Sequence, residues 1–244
     1  MVVHCLGCGD AFSSGGRLNS SFYLKTSIGG VLLDCGASVL AGLKRGGYTL
    51  SDVDTIIISH LHGDHFGGLP FVLCEKLVTG SRRKSLSIIG PEEIEERTRQ
   101  ALACFFPGIS MNADSPVQFM TYSTESPLVH SALKITAFEA IHSPRTNPHM
   151  LRIEVDGKII SYSGDTAWTD EIVALADGAD LFICEASAYR TKIRQHMSVK
   201  ELEENRHRIT AKKIVITHAG GDVLRHTDQL PFHLATDGEI LYSS

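Results

Sequence analysis

Apolar positions along the chain fall in short runs, not in long helical stripes. Runs rich in β-branched residues, each bounded by Gly, Pro or polar turn residues, predict strands. They lie at Val2–Leu6, Ser21–Lys25, Val31–Asp34, Thr55–Ser59, Leu86–Ile89, Lys134–Ile141, Leu151–Val155, Lys158–Ser163, Leu181–Cys184 and Lys213–Thr217. Asp156-Gly157 between two of these runs predicts a two-residue hairpin, because both central positions of a type I′ turn need positive φ. Helical spacing appears between the runs. Pro91 opens an acidic first turn with Glu92 and Glu93, Ile94, Thr98, Leu102 and Phe105 share one face, and Pro107-Gly108 is the stop. Ser198 and Glu201 form a capping box that starts a second helix, and a third is expected from Asp170 to Asp177. Strands with interposed helices in both halves predict an α/β architecture of sheets covered by helices.

Composition narrows the function classes. At 244 residues the chain makes one large domain or two small ones. Its net charge of −5, from 23 basic and 28 acidic residues, argues against a nucleic-acid binder that neutralises phosphates over its surface. The basic cluster Arg82-Arg83-Lys84 reads as a solvated loop. No apolar run approaches the roughly 18 to 20 residues of a membrane span, and Met1 to Asp10 lacks the layout of a signal or transit peptide. A cytoplasmic protein without a membrane partner is therefore expected. The six cysteines are dispersed, four of them in apolar surroundings expected to hold buried, reduced thiols. Cys5-x-x-Cys8 has no second Cys pair and falls on a strand and its exit, so it is read as structural rather than as a zinc site.

The chemistry is concentrated in histidines. Thr55–Ser59 is followed at once by His60-Leu61-His62-Gly63-Asp64-His65, four potential ligands in six residues. Positions 60 and 62 project to one side of extended chain, Gly63 permits a tight turn, and Asp64 and His65 then point back to the same cavity. Imidazole and carboxylate together suit zinc, with manganese or iron as other candidates, and one site takes only about four ligands, so two metals are expected. Other predicted strands end in further ligands: Lys134–Ile141 in His142, Lys158–Ser163 in Gly164-Asp165, and Lys213–Thr217 in His218. In α/β proteins such strand ends converge on one crevice. Because ligands come from both halves, about 1–125 and 126–244, the halves are expected to close as one domain.

Taken together, Asp34, His60-x-His62-x-Asp64-His65, His142, Asp165 and His218 resemble the metallo-β-lactamase superfamily of metal-dependent hydrolases over nearly the whole chain. The resemblance implies a four-layer αββα sandwich. It also implies one zinc on His60, His62 and His142, a second on Asp64, His65 and His218, Asp165 bridging, and Asp34 supporting the ligands. Asp165 stands where some lactamases carry Cys, and His62 where flavodiiron proteins carry Glu. Leu6-Gly7-Cys8-Gly9, Tyr162-Ser163-Gly164-Asp165-Thr166 and Glu185-Ala186-Ser187 resemble the ribonuclease Z-like phosphodiesterase branch.

That branch pairs a Glu in His-Glu-Ala-Thr with a His in His-Ser-Thr. Here the segments read Cys184-Glu185-Ala186-Ser187 and His196-Met197-Ser198, so the match is partial. By resemblance His196 would meet the phosphate or leaving oxygen and Glu185 would orient it. Transfer-RNA processing members insert a substrate-gripping arm between the third and fourth motifs, whereas His142 and Asp165 lie only 23 positions apart. A small or cyclic phosphodiester is therefore expected over folded tRNA. It would be hydrolysed by a hydroxide bridging two zinc ions, with Asp64 accepting a proton while ligating. Carboxylic ester, lactone or thioester hydrolysis on the same dinuclear site stays open, as does a non-catalytic metal-binding regulatory module. Homodimers are common in the branch, which makes a homodimer an expectation of the resemblance.

Overall fold

A computed structural model describes residues 1–79 and 85–244. The Arg82-Arg83-Lys84 cluster lies outside the described residues. In the first half the strands are β1 (Val2–Gly7), β2 (Ser21–Thr26), β3 (Gly29–Leu33), β4 (Thr55–Ile57), β5 (Leu86–Gly90) and β6 (Val117–Thr121). The helices there are α1 (Val39–Arg45), α2 (Gly63–Phe66), α3 (Leu69–Val78) and α4 (Ile94–Phe105). The second half contains β7 (Leu128–His130), β8 (Leu133–Glu139), β9 (His149–Val155), β10 (Lys158–Tyr162), β11 (Leu181–Glu185), β12 (Ile214–Thr217), β13 (His233–Leu234) and β14 (Ile240–Ser243). Its helices are α5 (Glu171–Leu175), α6 (Val199–Glu204) and α7 (Gly221–Leu224).

Among the described residues the strands form two sheets, ordered β14-β1-β2-β3-β4-β5-β6 and β13-β12-β11-β10-β9-β8-β7. Strands β3 to β6 are mutually parallel, as are β10 to β13, while β8, β9 and β10 pair antiparallel in succession. It follows that β8 runs in the same direction as β10, β11 and β12. The loops leaving all four strands therefore emerge at one edge of the sheet.

Side-chain alternation explains why these apolar runs stack in layers. Val31 and Leu33 of β3 point into a core shared with Leu181 and Ile183 of β11, between the two sheets. The intervening Leu32 packs under α1 and α3, and Phe182 and Cys184 pack under α5 and α6. Strands buried on both faces read as continuous hydrophobic runs rather than as alternating ones. The result is the four-layer αββα sandwich of the metallo-β-lactamase fold, of α/β class.

Local signals mostly act as expected. Asp156 (φ 55°) and Gly157 (φ 67°) make the β9–β10 hairpin turn, and the Ser198–Glu201 capping box starts α6. α4 differs at its start. Glu93 is left-handed (φ 69°), so helical geometry begins at Ile94 and not in the Pro91 turn. β4 and β8 stop earlier than their apolar runs, at Ile57 and Glu139, because the chain there leaves the ladder to reach the site. Cys5, Cys8, Cys35 and Cys184 are buried free thiols, Cys74 is half-buried and Cys104 is exposed. Cys8 Sγ donates to the Ala235 carbonyl at 3.2 Å, a role in packing.

Candidate functional site

The loop after β4 supplies the densest set of donors. His60 follows the buried strand, and His62 is the extended residue (φ −81°, ψ 149°) that leads into α2, whose single turn carries Asp64 and His65. Gly63 is helical with open space where a Cβ would lie, so the turn does not require glycine there. The requirement falls on Gly36, where a Cβ would sit 2.3 Å from the Asp64 carbonyl oxygen. His142 comes from the loop after β8, held by Ile141 N donating to Thr166 Oγ1 at 2.9 Å. Asp165 follows β10. His218 follows β12 in a left-handed conformation (φ 55°), as does Asp34 after β3 (φ 56°). Non-glycine residues in this region store strain that the surrounding contacts must hold, a common feature of functional sites.

Donor atoms meet in two groups that share Asp165. His60, His62, His142 and Asp165 form one, and Asp64, His65, Asp165 and His218 the other, with the ligand atoms of each group within 4.8 Å of one another. In four of the five histidines one ring nitrogen is anchored from outside and the other faces the group. His60 Nδ1 lies 3.1 Å from Ser59 Oγ, and His65 Nδ1 lies 2.6 Å from Asp34 Oδ2. His142 Nδ1 is 2.9 Å from the Gln195 carbonyl, and His218 Nδ1 is 3.2 Å from Ser187 Oγ. Such outer anchors fix tautomer and ring orientation at metal sites. Asp34 is completely buried and accepts from Ser59 N, Ser59 Oγ, Tyr162 Oη and His65 Nδ1.

Whether the residues fit cations is decided by what they lack. His65 Nε2 and Asp165 Oδ1 are buried and lie 3.3 Å apart, yet neither makes a well-aligned hydrogen bond among the described residues. Leaving such atoms unsatisfied is costly, and cations between the donor groups would satisfy both. The charge balance agrees. Burial, reinforced by neighbouring imidazoles, holds His60 and His62 below the ordinary histidine range, leaving neutral rings with lone pairs to donate. Burial also opposes charge on His218, yet Asp165 and the Asp64 hydrogen bond outweigh it and lift His218 to about 9. His65 is raised in the same way, against burial, by Asp165, Asp34 and Asp64. Asp64 is lowered, burial being outweighed by His65 and the His218 hydrogen bond. Protons thus occupy positions that cations would take.

Beside these groups, Glu185 at the end of β11 is completely buried, and its Oε1 lies 3.1 Å from His196 Nδ1. Thr166 N and Ser187 Oγ donate to the same carboxylate at 2.6 Å each. Burial opposes protonation of His196, but the hydrogen bond and charge of Glu185 raise its pKa above the ordinary value. A cavity of about 640 Å³ opens over these residues, with Asp64, Asp165, His196 and His218 at its floor. The structure thus brings together His60, His62, Asp64, His65, His142, Asp165, His218, His196 and Glu185, with Asp34 behind His65. Sequence reasoning missed the anchors Ser59, Tyr162 and Gln195. Their partners Asp34 and His142 are distant in the chain, so no local pattern marks these roles, although Ser59, Tyr162 and Ser187 fell within quoted segments.

Comparison with known proteins follows from this geometry. The family model described as Anti-Pycsar protein Apyc1 matches residues 1–237. A ribonuclease Z from Mycobacterium bovis is 26% identical over 239 residues, covering 89% of this chain and 85% of that protein. The crystal structure of the metallo-β-lactamase fold protein YhfI from Bacillus subtilis superposes with a TM-score of 0.80 at 24% identity, covering 98% of each chain. The short form of human tRNase Z superposes with a TM-score of 0.78 at 23% identity, covering 99% of each chain.

Proposed function

The chain belongs to the Anti-Pycsar protein Apyc1 family, and on that premise we propose that it is a dinuclear metal-dependent phosphodiester hydrolase acting on a small or cyclic phosphodiester. The observation that carries this reading is the pair of donor groups sharing Asp165 beside the His196–Glu185 couple, on the floor of one cavity. His60, His62 and His142 would hold one zinc, Asp64, His65 and His218 the other, and Asp165 both; manganese and iron suit the same donors. When bound, two divalent cations lower the pKa of water toward neutrality and screen the charge on phosphate oxygens.

The chain's own residues do the rest. His65 and His218 would give up their protons to cations held there, and Asp34 keeps His65 Nε2 facing inward through its bond at Nδ1. Asp64 would accept the proton that the attacking water loses. Glu185 holds His196 Nδ1, so that His196 in its protonated form donates from Nε2 to the leaving oxygen. Donors from both halves are needed, so the acting unit is the chain 1–244 as one domain. The 23 positions between His142 and Asp165 and the charge of −5 support a small substrate over folded tRNA.

Protein loaded separately with zinc and manganese is assayed on bis(p-nitrophenyl) phosphate, cyclic phosphodiesters, lactones and thioesters. Phosphodiester turnover is expected to dominate, and His62→Ala to abolish it while keeping the melting transition. Faster acyl turnover overturns the phosphodiester assignment. Full activity in His62→Ala overturns the site assignment.

A further inference from the structure

The segment that leads into His196 is pinned at one point, by a residue with no part in the chemistry above. Residues 190–194 are all exposed, and the only backbone bond they make among the described residues is a long one, Ile193 O accepting from His196 N at 3.4 Å. At the base of the segment, Ala188 O accepts from Val199 N at 2.8 Å and Tyr189 O from Lys200 N at 3.1 Å. At its far end stands Gln195, left-handed at φ 65°, a conformation that strains a non-glycine residue and persists only where its contacts enforce it. Those contacts are with His142. Gln195 O lies 2.9 Å from His142 Nδ1, and Gln195 Nε2 donates to the His142 carbonyl at 3.0 Å. The rings of His142 and His196 meet edge to face at 4.8 Å.

The ring proton of His142 has two places to sit. His142 Nε2 faces His62 Nδ1 at 2.9 Å, and a bond between two ring nitrogens needs a proton on one of them. With its proton on Nε2, His142 turns a lone pair toward the Gln195 carbonyl, and that bond is lost. Ligation through Nε2 leaves the proton on Nδ1, where it donates to Gln195 O. Resting on the metal-binding part of the reading above, we propose that Gln195 is a positioning residue that couples occupation of the His142 donor group to the seating of His196. Glu185 fixes His196 at Nδ1 from one side, and Gln195 fixes the main chain beside it from the other. Coupling of this kind is reciprocal, so a seated segment also tightens metal binding.

The test is limited trypsin digestion with and without saturating zinc, the cleavage sites being mapped by mass spectrometry. Arg190, Lys192 and Arg194 are exposed, and cleavage after them requires the segment to leave the surface, so its rate follows the release of Gln195. In wild type, zinc is expected to slow cleavage within residues 190–194 at least about tenfold more than cleavage elsewhere, a factor within reach of one or two hydrogen bonds. Gln195→Ala, and Gln195→Met, which keeps the length but not the donor, reduce that extra protection below about threefold. In both variants zinc affinity, read by chelator competition, falls about three- to tenfold. Gln195 is half-buried at the end of an exposed stretch, so its truncation does not threaten the fold. Equal zinc protection at all sites in wild type overturns the coupling, as does either variant with the full extra protection and wild-type zinc affinity. Wild type that retains no zinc overturns the metal-binding reading and the coupling with it. Both effects without turnover of any phosphodiester support the coupling and overturn the hydrolase reading alone.

Discussion

Replacing Asp34 separates the work of a buried anchor from that of a ligand. Its Oδ2 accepts Ser59 Oγ at 2.8 Å, His65 Nδ1 at 2.6 Å and Tyr162 Oη at 2.7 Å, and Oδ1 accepts Ser59 N at 2.7 Å. Asp34→Asn keeps the shape. With its oxygen in the Oδ2 position, the amide preserves three of the four bonds and sets its NH2 against the Ser59 N–H, which cannot turn away. One unsatisfied buried donor costs about 1 to 3 kcal/mol. Asp34→Ala removes all four acceptor contacts. The two hydroxyls can rotate, and Tyr162 Oη lies 3.5 Å from His65 Nδ1, but Ser59 N keeps no partner and His65 loses its carboxylate, for a loss of about 3 to 5 kcal/mol, comparable to breaking a buried charged pair. His65 is then free to carry its proton on Nε2, the atom facing the donor group. Affinity for the metal of that group is expected to fall about 10- to 100-fold, the usual effect of losing an outer anchor. Asp34→Asn is expected to change it much less. Urea unfolding of the metal-free variants gives the stability order, and chelator competition gives the affinities. Asp34→Ala within about 0.5 kcal/mol of wild type, with unchanged metal retention, would refute the reasoning.

Three other outcomes are expected. Glu185→Gln removes the charge that raises His196 against burial; with protonated His196 as the proposed acid, activity lost as pH rises should be lost at a lower pH in this variant, with kcat reduced about tenfold or more, both read from a kcat–pH profile. Metal uptake at the proposed site must displace the proton that Asp165 and Asp64 stabilise on His218, whose pKa they lift against burial to about 9, so apparent affinity should rise with pH toward that value and protons should be released on loading, a quantity measurable by calorimetry in buffers of different ionisation enthalpy. Gly36→Ala would place a Cβ 2.3 Å from the Asp64 carbonyl and 2.5 Å from Asn19 Cβ; displacing Asp64 should reduce metal content by mass spectrometry and activity together, whereas Gly63→Ala, where a Cβ meets open space, should keep its full metal content.

Much of this protein is decided locally. Strand runs such as Thr55-Ile-Ile-Ile-Ser59 are apolar on both faces because sheet and helix layers cover both, and that pattern is visible without coordinates. The Asp156-Gly157 turn and the Ser198–Glu201 cap are likewise set by residues within a few positions of each other. The donor residues, and their places after β-branched runs, were legible for the same reason, since a strand end and its next residues are covalent neighbours. No helix among the described residues is long and apolar enough to cross a membrane, in line with the hydropathy of the sequence.

Tertiary structure alone decided what depends on distant partners. Only the sheet order brings Tyr162 within 2.7 Å of Asp34, 128 positions earlier in the chain, or sets Gln195 against His142. The edge strands β6 and β7 have mixed, partly exposed patterns that no periodicity singles out, and they are strands because a neighbour offers them a ladder. Glycine followed the same division. Gly63 looked necessary within its motif, while the crowded position is Gly36, whose neighbour Asp64 arrives through space. Residue chemistry and short-range pattern are properties of the chain; tautomer, burial and crowding belong to contacts that exist only once the two sheets have closed.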